Sequence, residues 1–155
     1  AFLKKRKADL KEFLFEKYIP MLLEFRLHIS ENGCFYACRK VLKKDTPKEK
    51  MWSRHSDNCN WLLMDNPDFN KPNSWDDIIV DCQKAREVLK LDTVAYDVKV
   101  QSSTDKEGNP RKYQDYFLIE SCSGPSMGTI TTEKYLEEIP KLITAQAKRF
   151  ALIKD

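Results

Sequence analysis

Apolar and polar positions alternate along this chain with two different periods. Residues 2–17 (FLKKRKADLKEFLFEK) place apolar side chains at positions 2, 3, 10, 13 and 14, a helical stripe that stops ahead of Ile19-Pro20. MLLEFRLHIS (21–30) then alternates as a strand, ENG (31–33) supplies a hairpin turn, and CFYACRKVLK (34–43) is the return strand. Residues 44–60 are polar and irregular apart from Trp52, and WLLM (61–64) predicts a short strand. After the loop NPDFNKPN (66–73), SWDDIIVDCQKAREVLKL (74–91) predicts a helix with Ser74 as N-cap. Its apolar face would carry Ile78, Ile79, Cys82, Ala85, Val88 and Leu89. TVAYDVKVQS (93–102) and RKYQDYFLIESC (111–122) form a second hairpin about Gly108-Asn109. TTEKYLEEIPKLITAQAKRF (131–150) reads as a terminal helix that Pro140 kinks or divides. The sum of these elements is an α+β fold with an antiparallel sheet and flanking helices.

At 155 residues the chain suits one domain, and 41% hydrophobic residues are enough for a core. No apolar run reaches the ~18 residues of a membrane span. A net charge of +3 does not by itself imply nucleic acid, although basic residues cluster in KKRK (4–7), RKVLKK (39–44) and KEK (48–50). Five cysteines, at 34, 38, 59, 82 and 122, form no disulfide-scaffold spacing, so free thiols in a reducing, cytoplasmic setting are expected. The spacings C34-x3-C38 and H55-x3-C59 suggest zinc only superficially. A strand would hold Cys34 and Cys38 about 13 Å apart, too far for one tetrahedral ion.

The second hairpin carries the chemistry. A turn at Gly108-Asn109 pairs residues whose numbers sum to 217, which sets Asp97 opposite Glu120. Two like charges facing across a ladder are destabilising. One carboxyl is therefore protonated, or a basic side chain lies between them, or they share a cation such as Mg²⁺. Cys122 points to the same face, and Val94, Val98, Leu118 and Ile119 would wall the pair off. In the first hairpin, a turn about Asn32-Gly33 sets Arg26 opposite Arg39. Such a pair either binds an anion or is neutralised by Glu24 or Glu31.

EFRLHI (24–29), the ACRK return strand, WSRHSDN (52–58), LDTVAYDVKV (91–100) and FLIESCSGPSMG (117–128) together resemble the C-terminal half of an ATP-grasp domain. The pattern is most similar to the branch with glutathione synthetase and the ribosomal-protein glutamate ligases, over roughly residues 18–140. The resemblance implies ATP-dependent ligation of a small-molecule or peptide carboxylate to an amine through an acyl phosphate. It also implies Mg²⁺ held by Asp97 and Glu120, with Cys122 at the position of the usual asparagine. Arg26 and Arg54 would contact phosphate or the acyl phosphate, with Arg39, Lys40 and Asn58 at the nucleotide. Leu118 and Ile119 would lie beneath the adenine, and Ser123 and Gly124 near the acceptor carboxylate. The family's phosphate-gripping lysines and glycine-rich loop have no counterpart in residues 1–20. Ala1 is then an internal residue of a longer protein, or the lineage is truncated. Two alternatives are a nucleotide- or partner-binding module without turnover and an unrelated α+β interaction domain.

Overall fold

The computed structural model describes residues 23–51, 54, 57–125 and 127–150. The helix expected over 2–17, positions 21 and 22, Trp52, His55 and Ser126 lie outside them. Five antiparallel strands form one sheet in the order β3-β2-β1-β4-β5. They are β1 (Leu23–Ser30), β2 (Gly33–Leu42), β3 (Cys59–Leu63), β4 (Thr93–Val100) and β5 (Tyr116–Cys122). Helix α1 (Trp75–Leu89) joins β3 to β4, and α2 (Thr129–Arg149) follows β5. The α+β class and both hairpins are as the hydrophobic pattern predicts. No described helix is long and apolar enough to cross a membrane.

One face of the sheet is the core. Phe25, Leu27 and Ile29 from β1 and Val94, Tyr96, Val98 and Val100 from β4 pack against Ile78 and Cys82 of α1. Fully burying each large aliphatic or aromatic side chain stabilises the fold by about 1.5–3 kcal/mol. Phe25, Phe69 and Trp75 meet edge to face with ring centroids 5.4–5.6 Å apart, which seats the α1 N-terminus on the sheet. Asp76 and Asp77 in the first turn of α1 suit its dipole. Ser74 occupies the N-cap, but its side chain makes no capping hydrogen bond. The helix closes on Lys90, which adopts a left-handed φ of 55° and donates its N–H to the Arg86 and Glu87 carbonyls. The expected apolar face stops short: Val88 is 81% exposed and Leu89 48% exposed, in the last turn.

Turn geometry decides the register of the first hairpin. The turn residues are Glu31 and Asn32, with Ser30 paired to Gly33, whose φ of 111° suits a residue without a Cβ. A bulge then leaves Phe35 unpaired, so Ile29 faces Cys34 while His28 faces Tyr36. Arg26 consequently faces Cys38, and the expected Arg26–Arg39 pair does not form. A one-residue slip moves a side chain to the other face. Cys34 therefore joins the core face, whereas Cys38 lies beside Arg26 on the other. All five cysteines are free thiols.

The second hairpin pairs Asp97 with Glu120 as expected, but by a different route. Thr104 bridges Pro110, and the ladder shifts by one between Asp97 and Val98. Residues 111–115, expected in the strand, are irregular. Helix α2 runs unbroken through Pro140 rather than dividing there. It buries Tyr135, Glu138 and Leu142 against the second face of the sheet.

Candidate functional site

β1 is the central strand, and on its face away from the core the alternating residues are Glu24, Arg26, His28 and Ser30, all buried except the part-exposed Arg26. Polar groups buried in this way must find partners, because an unpaired one costs about 1–3 kcal/mol or more. Pairing of β1 with β4 sets Arg26 opposite Asp97, and pairing with β2 sets Glu24 opposite Lys40. A four-membered ionic cluster results. Arg26 grips the Asp97 carboxylate with two bonds, Nε to Oδ1 at 2.6 Å and a terminal nitrogen to Oδ2 at 2.8 Å. Lys40 Nζ donates to the same Oδ2 at 2.8 Å and to Glu24 Oε1 at 2.5 Å.

For Asp97, Lys40 and Arg26 burial works against the charge and the partners outweigh it. Desolvation alone would raise the Asp97 carboxyl, but the hydrogen bonds and charges of Arg26 and Lys40 hold it below the usual carboxylate range. Desolvation likewise pulls the Lys40 ammonium down, and its bonds to Asp97 and Glu24 bring it above its ordinary value. The bond to Asp97 is the main reason that the Arg26 guanidinium is raised. Trp61, opposite Lys40 on β3, completes the cluster, with Arg26 and Lys40 lying 5.5 and 5.2 Å from its ring centroid.

The like-charge problem posed by Asp97 and Glu120 is thus answered by basic side chains. Glu120 sits opposite Asp97 but is exposed, and its side chain makes no hydrogen bond or ion pair among the described residues, acting on Arg26 only through its charge. Cys122 is half-buried opposite Ala95, on the same face as Glu120. Val94 and Val98 do not wall the carboxylates off, since both are fully buried on the core face. Leu118, opposite Val98, also packs toward that core, while Ile119 stands at the bulge with 45% exposure. Leu118 and Ile119 nevertheless both line a second cavity of about 440 Å³ between β5 and the last turns of α1.

Other expected residues lie elsewhere. Arg39 is on the core face at the sheet's rim, 5.9 Å from the Phe25 ring, donating to the Asp68 and Phe69 carbonyls at 3.3 Å. Burial and the charge of Arg54 both lower the Arg39 guanidinium, which places Arg54 within electrostatic reach of Arg39. Asn58 is buried and its amide donates to the Lys50 carbonyl at 3.2 Å, tying together the β2–β3 connection. Ser123 and Gly124 are exposed in the loop between β5 and α2.

A cavity of about 450 Å³ opens beside the cluster, with Arg26, His28, Cys38 and Trp61 on the sheet side and Gly128–Thr131 at the start of α2. The leading N–H groups of a helix have no intrahelical partner. Here Gly128 caps without a side-chain bond and no acidic residue occupies the first turn, so that end keeps its positive polarity. His28 is buried behind Arg26 and lies 3.1 Å from the Tyr135 hydroxyl. Glu24, His28, Trp61 and the α2 N-terminus were not expected as site residues. The alternation Glu24-Arg26-His28 signalled a polar face, but the pairing of β1 with β4 that assembles it is not a local property.

Comparison with known proteins gives little. No protein-family model matches the chain, and no curated protein matches it. Among solved structures, the ATP-grasp ligase PsnB complexed with minimal precursor aligns with 68% of this chain at 13% identity and a TM-score of 0.41. The chain spans 27% of that protein's length, and a likeness of this extent transfers neither activity nor ligand.

Proposed function

We propose that this chain is the C-terminal portion of an ATP-grasp carboxylate–amine ligase and that its polar sheet face holds the phosphates of ATP. One observation carries the proposal: Arg26, Lys40, Asp97 and Glu120, drawn from four separate strands, meet on one face beside an open, positively polarised cavity. These four are among the side chains to which the sequence resemblance assigns phosphate and metal. In the reaction, a substrate carboxylate attacks the γ-phosphorus and ADP leaves. An amine then attacks the acyl phosphate and phosphate leaves. Arg26, partly exposed to the cavity, is the group to bind the transferring phosphoryl oxygens and spread their charge. Leu118 and Ile119 supply apolar surface for the base, and the Ser123–Gly124 loop borders the acceptor carboxylate. Arg39, on the core face, and Asn58, buried in the β2–β3 connection, are left out of this site.

The Mg²⁺ implied by the resemblance does not fit the side chains as arranged. Both oxygens of Asp97 accept hydrogen bonds from Arg26 and Lys40, which fill three of its four lone-pair positions. Cys122 offers a thiol, and hard cations prefer oxygen. Among the described residues no three His, Cys, Asp or Glu side chains converge on one point. Glu120 alone is open. These features favour a second reading, a nucleotide-binding module without turnover. Titration calorimetry of ADP into the intact protein tests both readings: heat is expected, and its absence from folded protein would overturn them. ATP consumption in the presence of carboxylates and amines separates the ligase from the module. Cys122→Asn is expected to increase metal-dependent ATP turnover if the thiol is what limits it.

A further inference from the structure

We infer that Asp97 is a positioning residue for phosphate binding, the counter-ion that holds Arg26 and Lys40 ready, and not a metal ligand. The inference rests on the nucleotide reading above and assigns its charge partner. A carboxylate free to ligate a metal presents at least one oxygen lone pair toward an open space. Asp97 has three of its four lone-pair positions filled, since Arg26 spans both oxygens and Lys40 adds a second donor to Oδ2, and the one left on Oδ1 lies beside the Arg26 guanidinium. Its side chain is only 10% exposed, so water does not compete for those lone pairs.

Net charge does not separate the two roles, since Glu24, Asp97, Arg26 and Lys40 sum to zero and Glu120 brings the site to −1; the placement of the charges does. A dication approaching Asp97 would meet an ammonium and a guanidinium already within hydrogen-bond distance. An anion entering from the cavity meets the exposed edge of Arg26, backed by the start of α2. The incoming phosphate then competes with Asp97 for the same guanidinium. Asp97 keeps the buried cations soluble in the fold when the site is empty and yields them when it is filled. That exchange needs no metal bridge.

The two roles predict opposite signs on one substitution. ADP is titrated into the intact protein in EDTA and again in excess Mg²⁺. For the counter-ion role, wild-type affinities agree within about twofold between the two buffers, and Asp97→Asn binds ADP about tenfold tighter in EDTA, an increment of about 1.4 kcal/mol. A merely structural role would only weaken binding, and Asp97→Glu should restore the wild-type affinity. Binding that requires Mg²⁺, or an Asp97→Asn variant that loses Mg²⁺-dependent affinity, would overturn the inference while leaving the nucleotide reading intact. Should Asp97→Asn not fold, the wild-type comparison still decides, together with Arg26→Gln, which should lose binding equally in both buffers. Absence of binding in both buffers overturns the nucleotide reading and the inference together.

Discussion

His28 shows how one residue records its surroundings. It is 2% exposed, shares a hydrogen bond with Tyr135, and stands next to a permanent cation. Burial first, and the charge of Arg26 second, depress the imidazole from 6.5 to about 4, so it is neutral in the fold at physiological pH. The unfolded chain takes up a proton between those two values and the folded chain does not. Stability contributed by neutral His28 is therefore complete above pH 6.5 and lost progressively as pH falls toward 4. The full loss is about 3 kcal/mol. Urea midpoints measured across this range should fall steadily in the wild type, and His28→Gln should flatten the slope. At the same scale, the opposition of Asp97 and Glu120 was legible from turn residues. It was partly fortunate, because the ladder reaches that pair only after an irregular stretch and a bulge. The facing of Arg26 and Arg39 failed because nothing in the sequence CFYACR announces that Phe35 will be left unpaired.

Helix α2 is tied to the sheet by the buried carboxylate of Glu138, beside the His28–Tyr135 hydrogen bond and the Arg149–Glu31 ion pair. Glu138, 2% exposed, accepts from Ser30 Oγ at 2.6 Å and Asn32 Nδ2 at 2.9 Å, and pairs with Lys141 at 3.2 Å. Desolvation would raise its carboxyl, but these donors hold it below the ordinary range. Glu138→Ala should cost about 1–3 kcal/mol in urea denaturation, because the Ser30 hydroxyl is left buried without its acceptor. Ser30→Ala, which removes only one of the donors, should cost less. The existence of this helix was legible from its periodicity. Its continuity through Pro140 was not, since whether a proline breaks a helix depends on whether packing on both sides holds it together. The exposed last turn of α1 has a related cause: periodicity identifies an apolar stripe but not how far the sheet extends beneath it.

The molecule as a whole sets an apolar layer on one side of the sheet and an ionic layer on the other. Two carboxyls of the ionic side, Asp97 and Glu138, are held below their ordinary values by their partners once burial has been overcome. A depressed carboxyl stabilises the fold above its unfolded value and loses that contribution as pH falls through its folded value. Acid unfolding should therefore steepen below about pH 4, beyond the His28 window, and circular dichroism across an acid titration should show the two regimes. Each hairpin could be read from local signals. The join between them could not: Arg26 and Asp97 are 71 residues apart, and no turn or spacing links their strands. The functional face is a product of that join. Trp61, 40% exposed and close to both cations of the cluster, makes the face optically visible. Any anion that draws Arg26 away changes the field at an indole in contact with solvent. The difference in emission between the wild type and Trp61→Phe should shift on titration with ADP, so the protein carries a fluorescent reporter of its own occupancy.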